Sequence, residues 1–136
     1  MENNEIRHGR HCVFELHVHL VFVTKYRKAV FSASHLKCLQ RVFASVCRDF
    51  DATLVEMNGE KDHVHLLVNY PAYVSVSKLV NSLKGVSSRL LRKENKENFE
   101  DTFGKCLWSP SYFAGSCGGA PLSVLETYIE NQKSPV

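Results

Sequence analysis

The segment that most limits the possible folds is residues 61–68, because it has the pattern of a half-buried β-strand with histidines on one side. It consists largely of apolar and β-branched residues, without glycine or proline, which is typical of a strand. Side chains two positions apart on a strand point to the same face. His63 and His65 therefore project side by side, while Val64 points into the core. Any fold for this chain must bury one face of this strand and keep both imidazoles together on the other.

The patterns around this strand predict the order β-α-β-β-α-β. Apolar residues alternate along the first predicted strand and repeat at helical spacing in two later segments. Turn residues such as Asn58-Gly59 separate neighbouring predicted elements. The predicted elements are a strand over 12–24, a helix from Ser32 or Ser34 to about Phe50, a strand over 52–58, the histidine strand, a helix over 75–94 and a strand over 107–113. Pro110 makes the last one an edge strand, because proline cannot donate to a sheet.

This order is that of the ferredoxin-like (RRM-like) α+β fold, an antiparallel sheet with two helices on one face. The first and third strands are then central neighbours, and His17 and His19 lie on the open face with His63 and His65. We expect the final helix or a partner subunit to cover that face. The chain is predicted to be one domain over 1–136, with a ferredoxin-like core over 12–114, a glycine-rich hinge over 115–120 and a C-terminal helix over 121–133.

Composition indicates an ordinary globular protein of the cytoplasm. The length of 136 residues suits one domain, and no apolar run approaches the roughly 18 residues that span a bilayer. Residues 1–5 are polar, unlike a signal peptide. The five cysteines form an odd set without a C-x-x-C pair, so we expect reduced thiols and neither a disulfide framework nor a zinc ribbon.

Positive charge is concentrated near the N-terminus. The net charge is +3, and residues 1–50 carry eight Lys/Arg against four acidic residues. This is compatible with a phosphate-rich partner, although a solvated surface would have the same composition. The candidate contacts with such a partner lie in the turn after the first strand and along the second helix, where an ordinary charged turn and a solvated helix edge are the alternatives: Lys25, Tyr26, Arg27, Lys28, Lys84, Arg89 and Arg92.

Two further residues complete a candidate catalytic set. Tyr128 and Gln132 are four positions apart, so a helix presents both on one stripe. Two imidazoles on a strand can bind a transition metal, and on ligand type alone zinc or manganese would be expected. His17 and His19 have the same spacing as His63 and His65, and are an alternative metal pair or a second shell of contacts.

Four segments, taken in order, resemble the single-tyrosine HUH transposases, the TnpA-type enzymes of small bacterial insertion sequences. The HUH motif, two histidines flanking a hydrophobic residue, is matched by residues 63–65. The other matching segments are the strand end at 23–27, residues 108–113 with Gly118-Gly119, and residues 128–132. The resemblance covers about residues 12–133.

The resemblance implies a DNA strand transferase and endonuclease. Tyr128 would be the nucleophile, and His63, His65 and Gln132 would bind Mg²⁺ or Mn²⁺. The tyrosine oxygen would attack a phosphodiester and form a 5′-phosphotyrosine, which a 3′-hydroxyl could later reverse. The base that would deprotonate Tyr128 is not evident from the sequence.

The resemblance also implies a homodimer that acts on single-stranded DNA with hairpin ends. A glycine-rich tether would allow the Tyr128 helix to complete the site of its own chain or that of its partner. Two alternatives remain open at the sequence level. One is a host-retained nuclease of the same family that processes palindromes, and the other is a non-enzymatic ferredoxin-like dimer that binds a metal or ligand.

Overall fold

The described secondary structure follows the predicted order. In a computed structural model, which describes residues 7–8, 13–14, 16–95, 106–116 and 127–132, a short 3₁₀ turn at Lys25–Arg27 follows the third strand. The elements are β1 (Arg7–His8), β2 (Val13–Phe14), β3 (His17–Val23), α1 (Ala33–Asp49), β4 (Thr53–Gly59), β5 (His63–Asn69), α2 (Val76–Glu94) and β6 (Phe113–Ser116). Residues 127–130 are also helical.

The main sheet has four strands in the order β4-β5-β3-β6, and every pairing is antiparallel. β3 and β5 are therefore the central neighbours, as the ferredoxin-like pattern predicts. Their register pairs His17 with Asn69 at one end and Val23 with His63 at the other. This pairing fixes which residues of the two strands meet on the open face.

The first strand is shorter than predicted. Its main-sheet portion begins at His17, whereas Val13–Phe14 pairs with Arg7–His8 in a separate two-stranded ladder. The prediction of one strand over 12–24 was wrong here because alternation of apolar residues reports which face is buried. It does not report when the chain changes its partner strand.

The last strand was also misplaced. Residues 107–113 were predicted to form it, but Trp108 makes only an isolated bridge to Thr24, and the paired strand is β6. Pro110, which cannot donate a backbone hydrogen bond, separates the two pairings. Gly115 and Ser116, assigned to the hinge, pair with β3 instead. The rest of the predicted hinge and the predicted helix before residue 127 lie outside the described residues.

The two helices cover one face of the sheet and form the core with it. α1 begins after Ser32, whose hydroxyl accepts from the His35 backbone N–H while the Ser32 N–H donates to the His35 ring. α2 begins after Ser75, whose hydroxyl accepts from the Lys78 backbone N–H. Gly59 lets β4 approach α1, since a Cβ atom there would lie 2.6 Å from Leu36 Cδ2. Within the described residues, no helix is both long and apolar enough to cross a membrane.

Candidate active site

The open face of the sheet carries the histidines, as predicted. Val64, Leu66 and Val68 are fully buried against the helices, so His63 and His65 project from the other side of β5. Val21 of β3 lies directly between His65 and Phe113 in the cross-strand register. The open face therefore has a row of three side chains, one from each of three neighbouring strands.

His65 is in direct contact with His19. Its Nε2 atom lies 2.9 Å from His19 Nδ1, and the two rings stack with centroids 5.0 Å apart. Burial lowers the pKa of His65, and the neighbouring His19 and His63 lower it further against the opposing effect of Glu56. The neutral imidazole, which is the form that binds metals, is thereby favoured.

His63 is oriented by the residue that precedes it. Its Nδ1 atom lies 2.9 Å from Asp62 Oδ1, and Arg27 Nε donates to the other carboxylate oxygen at 2.7 Å. Burial alone would raise the pKa of Asp62, but the hydrogen bonds from His63 and Arg27 and the charge of Arg27 outweigh it, so the pKa is lowered. Asp62 is therefore an ionised carboxylate that holds both an imidazole and a guanidinium in place.

A cavity of about 830 Å³ opens beside these histidines. It lies between the 58–63 turn, the basic turn after β3 and the helical residues near the C-terminus. Arg27 NH1 lies 3.6 Å from Glu130 across it. The lining residues are Val21, Arg27, Ala29, Asn58, Gly59, Glu60, Lys61, Asp62, His63, His65, Ile129 and Glu130.

Tyr128 and Gln132 are held by the segment that precedes β6. Ser111 Oγ lies 3.0 Å from the Tyr128 hydroxyl and donates to Gln132 Oε1 at 3.1 Å. Ser109 Oγ donates to the same amide oxygen at 3.0 Å, and the Phe113 and Tyr128 rings pack at 5.9 Å. Both residues thus face the same segment, as their spacing of one helical turn predicts.

The structure brings the two halves of the predicted site to one end of one sheet face without joining them. Ser109 N–H donates to the Val23 carbonyl, and Val23 pairs with His63. The backbones of Ser109 and His63 are therefore separated by two strand spacings, about 10 Å. Ile129 and Glu130 line the histidine cavity, whereas Tyr128 and Gln132 do not.

The Tyr128 phenol is protonated in this arrangement. Burial raises the pKa of Tyr128, and the hydrogen bond with Ser111 offsets only part of that effect. No basic side chain is in hydrogen-bond contact with its hydroxyl among the described interactions. To act as a nucleophile, this oxygen would have to lose its proton through a change in these contacts.

The basic turn contains two residues in the left-handed backbone conformation, Tyr26 with φ of 59° and Arg27 with φ of 54°. Tyr26 is 49% exposed, and Lys25 Nζ lies 5.6 Å from its ring centroid. Lys28 is exposed, while Arg27 is turned towards Asp62. The exposed aromatic ring and its cationic neighbours are available to a nucleic acid, whereas Arg27 belongs to the cavity.

Lys84, predicted as a DNA contact, binds backbone carbonyls of its own chain in this structure. It donates to the carbonyls of Ser109, Pro110 and Ser111 at 2.7, 3.3 and 3.0 Å. Burial lowers its pKa against the opposing effect of Cys106. Sequence alone does not separate a lysine that binds carbonyls of its own chain from one that binds phosphate.

The remaining predicted site residues of α2 and β3 differ in their surroundings. Arg92 Nε donates to Ser88 Oγ, and Arg89 is exposed. His19 contacts His65, but His17 lies at the far end of β3, where Nε2 is 3.4 Å from Asn69. Six residues of strand, about 20 Å, separate His17 from Val23 beside His63. The structure therefore does not bring His17 to the site.

Four residues of the site were missed in the sequence: Asp62, Ser109, Ser111 and Glu130. Asp62 directly precedes the histidine pair, and a carboxylate next to a ligand is a usable signal. The two serines are two positions apart in a segment that was predicted to be a strand. Glu130 lies between Tyr128 and Gln132 but on another side of the helical turn, where only the tertiary structure reveals its partner.

The imidazoles fit a divalent metal. Asp62 occupies His63 Nδ1 and leaves Nε2 without a hydrogen bond among the described interactions, the arrangement that prepares a histidine for metal binding. No group of three or more His, Cys, Asp or Glu side chains converges within the described part of the chain. Within that part of the chain, a third protein ligand would therefore be of another type. The Gln132 amide oxygen is such a group, and here it accepts from Ser109 and Ser111.

Comparison with known proteins identifies the family and agrees with this fold. Residues 12–132 match the family described as "Transposase IS200 like". The chain belongs to this family of transposases. It is 28% identical over 128 residues to the ISDra2 transposase TnpA of Deinococcus radiodurans, covering 94% of this chain and 91% of that protein. It is 25% identical over 114 residues to the transposase of insertion sequence IS200 from Salmonella typhimurium, covering 84% and 74%.

Two solved structures show the same architecture. The crystal structure of a candidate transposase from Deinococcus radiodurans R1 has a TM-score of 0.85 and 27% identity, and covers 95% of this chain and 99% of that one. A REP-associated tyrosine transposase bound to a REP hairpin has a TM-score of 0.53 and 13% identity, and covers 91% and 68%. The second likeness concerns the fold alone. The predicted α+β fold and the family resemblance are therefore confirmed.

Proposed function

We propose that this transposase cuts and rejoins single-stranded DNA at hairpin-marked transposon ends through a covalent Tyr128 intermediate. The observation that carries the proposal is the location of Tyr128 and Gln132 at the same end of the same sheet face as His63 and His65. These residues come from distant parts of a chain whose family is that of DNA transposases. A phosphoryl-transfer site requires residues of this kind to come together around the reacting phosphate.

The reaction exchanges one phosphodiester bond for another. The phenol proton leaves to a solvent water, and the oxygen electron pair forms the bond to phosphorus. The bond from phosphorus to the 3′ oxygen breaks, and that oxygen takes a proton from water. The product is a 5′-phosphotyrosine and a free 3′-hydroxyl, so a second 3′-hydroxyl can reverse the reaction without ATP.

His63, His65 and Gln132 would hold Mg²⁺ or Mn²⁺. When bound, the ion would polarise the scissile phosphate and neutralise charge that develops on its oxygens. Asp62 contacts His63 at Nδ1 and keeps its ring in one orientation, whereas His19 contacts His65 at Nε2. His65 would therefore bind the ion through Nδ1, or through Nε2 once its contact with His19 is exchanged. Gln132 must exchange its serine hydrogen bonds before its oxygen can serve as a ligand, because both Ser109 and Ser111 donate to it.

A hairpin substrate and a dimer are parts of the same proposal. The named relatives are transposases of insertion sequences, and the more distant fold neighbour is bound to a hairpin. The exposed Tyr26 ring suits stacking with an unpaired base, and its basic neighbours suit phosphates. The Tyr128 segment could act on its own chain or on a partner chain.

The direct test is formation of a covalent adduct. Single-stranded oligonucleotides that carry the palindromic flanks of the gene are incubated with the protein and Mn²⁺ or Mg²⁺, then separated under denaturing conditions. A protein–DNA adduct is expected for the wild type and is expected to disappear in Tyr128→Phe. Tyr73→Phe is the matched control, because Tyr73 is exposed in the loop before α2. An adduct that persists in Tyr128→Phe would exclude Tyr128 as nucleophile.

Histidine substitutions separate the two candidate metal pairs. His63→Ala should remove both metal binding and adduct formation, whereas His17→Ala should keep both, since His17 is at the other end of β3. Metal binding without any cleavage would instead favour the non-enzymatic alternative. Palindromes that border the gene would distinguish a mobile element from a host-retained nuclease.

A further inference from the structure

We propose that Ser111 is a catalytic residue of this transposase, in which its hydroxyl stabilises the attacking oxygen of Tyr128. The inference rests on the proposed function and extends it to the activation of the nucleophile. Ser111 Oγ lies within hydrogen-bond distance of both the Tyr128 hydroxyl, at 3.0 Å, and Gln132 Oε1, at 3.1 Å. It is the described side chain that touches the reacting oxygen and a candidate metal ligand together.

The direction of these hydrogen bonds follows from counting protons. A serine hydroxyl has one proton to donate, and the Gln132 amide oxygen can only accept. Ser111 therefore gives its proton to Gln132, and the Tyr128 hydroxyl must donate to Ser111. In this arrangement the phenol keeps its proton, because the Ser111 hydroxyl donates to Gln132 and not to the Tyr128 oxygen.

Withdrawal of the Gln132 oxygen reverses this direction. Once Gln132 turns its oxygen away from Ser111, the Ser111 proton is free to point at the Tyr128 oxygen. The phenol proton then leaves to a solvent water, and the electron pair that remains on oxygen is stabilised by a hydrogen bond from Ser111. A change of partner at the Gln132 oxygen is thereby coupled to stabilisation of the attacking Tyr128 oxygen.

α2 fixes the segment that carries Ser111. Lys84 Nζ binds three successive carbonyls, those of Ser109, Pro110 and Ser111. Ser87 Oγ accepts from Trp108 Nε1 at 2.9 Å, and Ser88 Oγ accepts from the Leu107 N–H at 3.2 Å. Lys84 is therefore a positioning residue that acts on Tyr128 through the backbone of Ser111.

Ser109 offers a matched control within the same segment. Its hydroxyl donates to Gln132 and makes no hydrogen bond with Tyr128 among the described interactions. With 3-fluorotyrosine incorporated at the five tyrosines, the ¹⁹F resonance of Tyr128 is assigned by its loss in Tyr128→Phe. Ser111→Ala should shift this resonance, whereas Ser109→Ala should leave it close to the wild-type position. This measurement needs neither metal nor DNA.

The kinetic test follows the rate of adduct formation. Ser111→Ala should lower that rate about ten- to a hundredfold with little change in DNA affinity, since a hydrogen bond to a developing charge is lost. Ser111→Thr, which keeps the hydroxyl, should recover most of the rate. Lys84→Met should also lower the rate at unchanged affinity, in contrast to the loss of affinity expected of a DNA contact. Lys78→Met removes an exposed charge from the same helix and should keep the wild-type rate.

The outcomes separate the inference from the proposed function. If wild type and Ser111→Ala form the Tyr128 adduct at rates within twofold of each other, the function stands and the role of Ser111 is overturned. An unshifted Tyr128 resonance in Ser111→Ala overturns it as well. If the wild type forms no Tyr128 adduct, the proposed function fails, and the catalytic role of Ser111 fails with it even where the resonance shifts.

Discussion

Among single residues, Asp62 connects the predicted metal ligand His63 with the basic turn that contains Arg27. It holds the ring of His63 and the guanidinium of Arg27 with one carboxylate. Histidine ligands usually depend on such a partner, whose loss costs about 10- to 100-fold in metal affinity. The aspartate next to the motif is therefore as much a part of the candidate site as the histidines.

Asp62→Asn should weaken Mn²⁺ binding about 10- to 100-fold, because the amide is a poorer acceptor for the His63 N–H. Titration calorimetry measures the change directly. Asp49→Asn, which removes an exposed carboxylate at the end of α1, is the matched control. Arg27→Ala separates the two roles, since it leaves the Asp62–His63 contact intact. Equal Mn²⁺ affinities for wild type and Asp62→Asn would contradict the assignment.

The cysteines also differ at this scale. Cys106 is exposed, whereas Cys38 and Cys47 are buried. Burial raises the pKa of Cys47 to about 12, against a small opposing effect of Arg48, so its reactive thiolate is scarce at neutral pH. Burial and Glu94 raise the pKa of Cys38 against the opposing effect of Arg41.

Among these three thiols, Cys106 should react first with iodoacetamide at pH 7.5 in the native protein. Peptide mapping by mass spectrometry gives the extent of labelling at each site. Cys38 and Cys47 should become reactive only after unfolding in urea, which serves as the control. Labelling of Cys47 at the rate of Cys106 in the native protein would contradict the described burial.

At the scale of elements, the decisive contact is between α2 and residues 107–111. Trp108 is buried, and its ring packs against Phe22 and Phe31, while its N–H donates to Ser87. This contact explains why a segment without a regular strand is nevertheless well fixed. The Tyr128 side of the candidate site depends on it.

Ser87→Ala should lower the free energy of unfolding by about 1–3 kcal/mol, because the buried Trp108 N–H loses its acceptor. Urea denaturation followed by the emission of the single tryptophan measures the loss and reports on this segment. Ser45→Ala, on the exposed side of α1, should change the stability by less than about 0.5 kcal/mol. A similar loss in both variants would argue against a specific role of the Ser87 hydroxyl.

Elements whose pattern reflects burial were predictable from the sequence. The periodicities of α1 and α2, together with the serine predicted to begin α1, gave helix boundaries within a residue or so. The pairing of β3 with β5 followed from the order of elements. What failed depended on partner choice: β2 pairs with β1, and Trp108 and β6 form two separate contacts. Local patterns do not specify partners that are distant in the sequence.

The candidate site also has a part that was predictable from the sequence and a part that was not. His63 and His65 are on the predicted face because a strand fixes side-chain direction. The carbonyl contacts of Lys84 were not predicted, because a lysine that binds backbone carbonyls has the same sequence signature as one that binds phosphate. Ser109 and Ser111 became visible only once Tyr128 and Gln132 were located beside them.

At the scale of the whole molecule, the chain places its own acidic residue in the cavity expected to receive DNA. Glu130 lies 3.6 Å from Arg27, and both line the cavity beside the histidines. A DNA phosphate that binds Arg27 must compete with this carboxylate. The net charge of +3 is small, so one local acidic group matters for the affinity.

Glu130→Gln should therefore increase the affinity for single-stranded DNA several-fold at low salt, because it removes a negative charge from the cavity. Fluorescence anisotropy with a labelled oligonucleotide measures the affinity over a series of salt concentrations. Glu94→Gln, at the end of α2, changes the net charge equally and should have a smaller effect. Equal gains in both variants would indicate a general charge effect instead of a local one.

The end of β3 is a common reference point for both halves of the candidate site. Val23 pairs with His63 on one side and accepts a backbone hydrogen bond from Ser109 on the other, and Thr24 forms the bridge to Trp108. Inserting one residue into β3 would shift the imidazoles and the serine segment at once and would reverse every following side chain. Anyone who transplants this centre into another scaffold therefore has one strand terminus to reproduce with high accuracy, and the peripheral loops can be redesigned around it.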